Sequence, residues 1–140
     1  NYRPQYEFPH FEEAKRNFPI HDGVCFIEEA KRNFPIHDGV CFTYGDTYYT
    51  NHSPLPADYL VHEQHHTKQQ ALIGAEEWWR RFFADPRFRL EQELECYKKQ
   101  LASIKDRNFR FTRRLKIIDD LSSPLYGGCA TREELTQLLK

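Results

Sequence analysis

Methionine is missing from all 140 residues, position 1 included, so the chain is expected to begin after residues that were removed or not seen. The opening NYRPQYEFPH has no charged-then-apolar signal segment. No stretch approaches the about 20 apolar residues that a membrane-spanning helix needs. A membrane is therefore not an expected partner, and the localisation stays unknown. Excess charge is missing as well: 20 Lys and Arg face 21 Asp and Glu, for a formal net charge of −1. No global field draws such a chain to nucleic acid or to an anionic surface. The four cysteines, Cys25, Cys41, Cys96 and Cys129, contain no C-x-x-C pair and are too sparse for a disulfide scaffold. They read as small buried or free thiols. The length suits one domain, 1–140, with a single core.

What is present includes one oddity. The segments 11–26 and 27–42 duplicate each other, and EEAKRNFPIHDGVCF is identical at Glu12 to Phe26 and Glu28 to Phe42. Natural repeats drift, and solenoids need at least three longer copies to bury a shared core. Two copies compete for one place in the fold. The second is expected to win it because it runs directly into the next strand at Thr43, which leaves the first copy as surplus.

Within one copy, EEAKRNF is made of helix formers, and Pro35 stops the helix. VCFTYGDTYYT predicts a β-hairpin turning near Gly45, followed by the loop NHSPLP. Asp58 is expected to cap a helix running to about Leu72, which Gly74 ends. AEEWWRRFFADP predicts a short helix whose Trp78, Trp79, Phe82 and Phe83 are core. Pro86 opens another, with Leu90, Leu94, Tyr97, Leu101 and Ile104 on one stripe. An amphipathic or broken helix continues to Asp120, and Thr131 to Glu134 has the pattern of a capping box. The fold class is α+β: a short hairpin or small sheet followed mainly by helices.

His62, Glu63 and His66 spell H-E-x-x-H inside the predicted helix Asp58 to Leu72. Residues four apart share a helix face, so both imidazoles can reach one metal ion, with Glu63 beside them to hold a water. The competing reading is a polar helix that happens to be rich in histidine. His65 points about 60° away from the pair at 100° per residue and is a neighbour. Catalytic zinc takes three protein ligands and keeps one position open. Among Glu91, Glu93 and Glu95, Glu93 lies about 60° from the centre of the apolar stripe, Glu91 about 100° and Glu95 about 140°. Glu93 is the one placed to reach inward.

This arrangement resembles the gluzincin branch of the zincin metallopeptidases, whose glutamate ligand sits in an E-x-x-A-D type motif. In Glu93-Leu94-Glu95-Cys96-Tyr97, Cys96 stands for the small residue and Tyr97 for the aspartate. FTYGDTYYT, VHEQHH, WWRRF, FRLEQELECY and LSSPLYGG, spread over Phe42 to Gly128, also resemble small uncharacterised H-E-x-x-H proteins of phages and bacteria. The resemblance implies a zincin-like domain with Zn2+ held by His62, His66 and Glu93, and peptide-bond hydrolysis with Glu63 as general base. It also implies that the strand Thr47, Tyr48, Tyr49, Thr50 lies beside the metal helix and pairs with an extended peptide or protein segment. His52, Tyr48 or Tyr49 would then stabilise the oxyanion.

The rival class is a non-catalytic structural or assembly protein, such as a virion component binding other assembly proteins, in which the fold persists and the metal is structural or absent. A weaker third reading rests on Lys98 to Lys116, where eight basic residues and one acidic are interleaved with Phe109 and Phe111. No nucleic-acid motif accompanies that charge, and the expected alternative is a solvated helical face with both phenylalanines buried.

Overall fold

A computed structural model of the chain describes residues 1–17 and 40–140, which form two compact units, Asn1–Pro54 and Leu55–Lys140. The architecture is α+β, a small sheet and a set of helices.

In the first unit, the aromatic and β-branched runs on either side of Gly45 pair as predicted. Strands β2 (Phe42–Tyr44) and β3 (Thr47–Tyr49) are antiparallel, with Phe42 opposite Tyr49 and Tyr44 opposite Thr47. Gly45 takes φ +62° in the turn, a conformation that a side chain disfavours. A strand not anticipated from the sequence, β1 (Tyr2–Arg3), runs parallel along the other side of β3, with Tyr2 opposite Tyr48. The order is β1-β3-β2. Both edges of β3 are therefore paired, and the expected addition of a peptide to Thr47 to Thr50 finds no open backbone edge there while β1 is in place.

Helix α1 (Phe11–Asn17) and a 3-10 turn (Gln5–Glu7) cover this sheet. Phe8 stacks on Phe42 with ring centroids 4.6 Å apart, Phe11 meets Phe42 edge-on at 6.5 Å, and Ala14 is fully buried. The buried Gln5 exchanges hydrogen bonds with Asn51 and donates to the Val40 carbonyl at 2.6 Å.

The duplicated segment contributes to this packing from both ends. Phe42, the last residue of the second copy, enters the sheet, whereas α1 belongs to the first copy, which the sequence reading left as surplus. The second copy's own predicted helix lies outside the described residues. Because the copies are identical, deleting residues 12–27 or 27–42 yields one and the same shorter chain. In it, eight residues join the end of α1 to the Phe42 position, a reach of up to about 26 Å, while α1 is only about 10 Å long. The shortened chain is predicted to keep the helix-on-sheet packing and a melting temperature within a few degrees of the parent. A non-cooperative melt would show that the extra 16 residues are needed for folding.

The second unit is helical: α2 (Ala57–Ile73), α3 (Ala75–Ala84), α4 (Pro86–Ser103), α5 (Arg107–Leu121), a 3-10 turn (Pro124–Tyr126) and α6 (Arg132–Leu138). Local chemistry sets the boundaries. Gly74 at φ +88° separates α2 from α3. The Asp85 carboxylate accepts from Arg87 N–H ahead of Pro86, and Asp106 accepts from Phe109 N–H. Thr131 and Glu134 form the capping box. Leu90 and Leu101 of α4 and Ile104 just after it pack with Ile117, Ile118 and Leu121 of α5, with Tyr126, and with Leu135 of α6. Trp78, Trp79 and Phe82 of α3 are buried. No helix among the described residues is long and apolar enough to cross a membrane.

Two local expectations need correction. Phe109 and Phe111 are 45% and 58% exposed, because α5 makes its core contacts through its second half. Asp58 does not cap α2; Pro56 holds that position. The Asp58 carboxylate is buried and accepts from Gln100 Nε2 at 2.7 Å and Arg113 Nε at 3.0 Å.

Three arginines of the basic stretch are engaged within the chain. Arg110 donates to the Ile104 carbonyl, Arg114 to the Leu139 carbonyl, and Arg113 to Asp58 and Tyr59. Removing one partner of a buried ion pair leaves the other charge uncompensated. Arg113→Ala is therefore predicted to destabilise by about 3 kcal/mol or more, and Arg113→Ala with Asp58→Asn by clearly less. Denaturant titration of both variants checks this, and an equal loss in the two would contradict it.

Candidate metal site

An ordinary surface helix buries an apolar stripe. Helix α2 does the opposite: its buried residues are Asp58, His62, Glu63, His66, Gln69 and Gln70, every one polar or charged. Asp58, His62, His66 and Gln70 repeat at intervals of four, the spacing of a core face. Burying such groups is unfavourable unless they are paired, and α4 supplies the partners.

The geometry converges on one carboxylate. His66 Nε2 lies 2.6 Å from Glu93 Oε1, His62 Nε2 lies 3.6 Å from Glu93 Oε2, and His62 Nε2 lies 3.8 Å from Glu63 Oε2. The four residues are only 3% (His62), 7% (Glu63), 5% (His66) and 8% (Glu93) exposed. Glu91 and Glu95 are exposed, so Glu93 is the glutamate of α4 that faces this cluster. The His62 and His66 rings meet edge to face at 4.8 Å; Tyr97 covers His62 at 4.4 Å and Trp78 covers His66 at 5.1 Å.

A residue not singled out as a ligand joins them. Cys96 is buried one turn after Glu93 on α4, with Sγ 3.3 Å from His66 Nδ1. His62, His66 and Cys96 bring one ligand atom each to within 4.8 Å of one another, a buried group that could hold a metal ion. Its signal in the sequence was its place three residues after Glu93, which puts it on the same helix face.

Thr47, Tyr48, Tyr49, Thr50 and His52 belong to the first unit. There Tyr48 packs on Tyr2, Tyr49 on Phe8, and His52 is exposed with its backbone N–H bonded to Thr50 Oγ1 at 3.1 Å. His65 is turned away from the pair and bonds Glu95 at 2.5 Å.

The electrostatics follow from burial. Burial disfavours charge on His66, but Cys96 and Glu93 beside it outweigh this and hold the ring well above the ordinary imidazole value. Burial also pushes the Cys96 thiol up to about 11, so it stays neutral, and Glu93 supplies the stabilising charge. Burial pushes Glu93 upward too, yet the imidazoles of His66 and His62 hold it well below the usual carboxylate range. Tyr97 and Tyr126 are raised well above the ordinary phenol value by burial and then by Glu93, so both remain neutral hydroxyls near the cluster.

The donor set suits a divalent cation. Donors arranged tetrahedrally about 2.1 Å from zinc stand about 3.4 Å apart. The His62 to Glu93 separation of 3.6 Å is close to that, and the His66 to Glu93 separation of 2.6 Å is the distance at which a proton takes a cation's place. Compared with known proteins, the chain matches no family model, no curated protein and no solved structure.

The pair makes a signed prediction for the metal-free protein. His66 is raised on folding, so its contribution is complete below the unfolded value of about 6.5 and fades as pH climbs through the folded value. Glu93 is depressed, so its contribution is present above about 4.3 and lost only as pH falls through its lower folded value. In chelator, Glu93→Gln is expected to lower the melting temperature most between about pH 4.5 and 6.5, with the deficit shrinking steadily above that. A deficit flat from pH 5 to 9 would contradict the pairing.

Proposed function

We propose that the chain is a zincin-like, metal-dependent hydrolase of peptide bonds. His62, His66 and Glu93 hold Zn2+, and Glu63 serves as general base. One observation carries this reading: the buried face of α2 is polar throughout, and it directs two imidazoles and Glu63 to the same place as Glu93 of α4. The Glu93 carboxylate is favoured over Cys96 as third ligand because it spans both Nε2 atoms and is charged, whereas the buried thiol keeps its proton. The bound ion would supply Lewis-acid polarisation of the scissile carbonyl and of a water.

Glu63 accepts one proton from the water as its oxygen bonds to the carbonyl carbon, and returns that proton to the amide nitrogen as the C–N bond breaks. The neutral hydroxyl of Tyr97, whose ring packs 4.4 Å from that of His62, is the candidate donor to the developing oxyanion. An extended peptide remains the substrate class this chemistry fits. Its docking is not assigned to β3, whose two edges are paired.

A second reading has an observation of its own. All four central residues are at most 8% exposed, and closed sites are typical of structural rather than catalytic metal. On that reading the ion clasps α2 to α4 in a structural or assembly protein.

Zinc-loaded protein and Glu63→Gln, incubated with a diverse peptide library and read by mass spectrometry, separate the two. The hydrolase reading expects equal zinc content and a product set that the variant loses by at least about 100-fold. The same cleavages from both proteins, or none from either with zinc bound, would leave the structural reading in its place.

A further inference from the structure

This inference builds on the reading of His66 as a metal ligand and concerns which of its nitrogens is free to serve. Gln69 follows His66 by three positions on α2, with its side chain between that ring and α4. Its Oε1 lies 2.9 Å from His66 Nδ1, while its Nε2 lies 3.0 Å from the Gln92 carbonyl oxygen and 3.3 Å from Glu95 Oε1. A primary amide can be placed either way round, and only its surroundings distinguish the two ends.

Here the surroundings decide. A backbone carbonyl and a carboxylate both accept, so the NH2 group faces α4 and the amide oxygen faces the imidazole. An amide oxygen cannot donate, so His66 Nδ1 carries the hydrogen. The lone pair of the neutral ring is then at Nε2, on the side where Glu93 stands 2.6 Å away and to which His62 Nε2 also turns. The thiol of Cys96, 3.3 Å from the same Nδ1, is at most a second, weak acceptor. His62 lacks such a brace: its Nδ1 is buried without a hydrogen-bond partner among the described residues.

We propose that Gln69 is the positioning residue of the metal centre. It fixes His66 as the Nδ1–H tautomer, locks the ring plane through Gln92 and Glu95 of α4, and presents Nε2 to the ion. His66 is accordingly the anchored ligand and His62 the adjustable one.

The test uses the full chain, Gln69→Leu, and Gln69→Met, which keeps the length of the side chain but offers only a weak thioether acceptor to His66 and no donor to α4. Zinc affinity is measured by competition with a chromogenic chelator, and the coordination sphere by the visible absorption of the Co2+ form. Gln69→Leu should bind zinc about 10- to 100-fold more weakly, with an altered Co2+ spectrum. Gln69→Met should show the same weakening and the same altered spectrum.

If the parent binds neither ion, the metal-site reading itself fails. If the parent binds and Gln69→Leu matches it in affinity and spectrum, Gln69 only packs helices; the positioning role is overturned and the metal site stands. If Gln69→Leu does not fold, Gln69→Met decides, and a folded Gln69→Met with the parent's affinity and spectrum overturns the proposal.

Discussion

The helical unit depends on one constraint: the polar face of α2 has to be buried, and each group on it needs a partner on a neighbouring helix. Asp58 meets Gln100 and Arg113, His66 meets Glu93 and Gln69, and Gln69 reaches the Gln92 backbone. Of these, Glu93, Gln92 and Gln100 belong to α4 and Arg113 to α5, while Gln69 is on α2 itself. Leu90 and Leu101 of α4 instead pack with α5, α6 and Tyr126. Helix α4 thus has two working sides, one apolar toward the core and one hydrogen-bonded toward α2.

The two sides constrain the fold differently. Apolar packing tolerates changes of side chain if volume is kept, whereas a hydrogen-bonded seam penalises the loss of either partner by the desolvation cost of the one left behind. A one-residue rotation of α2 would carry Asp58, His62, His66 and Gln70 about 100° around the axis together and unpair them at once. The seam therefore specifies the register of α2 on α4 more sharply than the apolar core could. A site that needs ligands held to fractions of an ångström benefits from that rigidity.

The sequence was informative wherever the signal is local. The hairpin about Gly45, the break at Gly74, the start at Pro86 and the capping box at Thr131 each depend on residues within four positions of one another. Glu93 could be chosen over Glu91 and Glu95 because helix angle alone separates them. The seam was less legible because its bonds join residues 23 to 55 positions apart. Asp58 fits a cap rule and yet spends its carboxylate on Gln100 and Arg113. Gln69 and Cys96 carry no motif of their own, and a strand as short as Tyr2–Arg3 leaves no periodicity to detect. One signal was available: polar residues at intervals of four, from Asp58 to Gln70, where a helix of this length ordinarily places leucine or valine.

A proton and a cation compete for the same place, and this connects the site to folding. Without metal, the carboxylate of Glu93 is tolerable in the interior because His66 holds an extra proton against it at 2.6 Å. A divalent ion, if held there, would take the place of that proton with one more positive charge beside Glu93 and Glu63, and would offset the desolvation of both carboxylates. Binding to the folded chain alone stabilises it by RT ln(1 + [L]/Kd), about 4 kcal/mol at a thousand-fold excess over Kd. That is a large share of the 5–15 kcal/mol typical of a domain. The buried polar face is thus least favourable when empty and acidic conditions no longer supply the proton, and most favourable when the ion is bound. On the proposed reading this coupling would be the same whether the centre cleaves peptides or only clasps two helices, because it would follow from burying Glu93 beside two imidazoles.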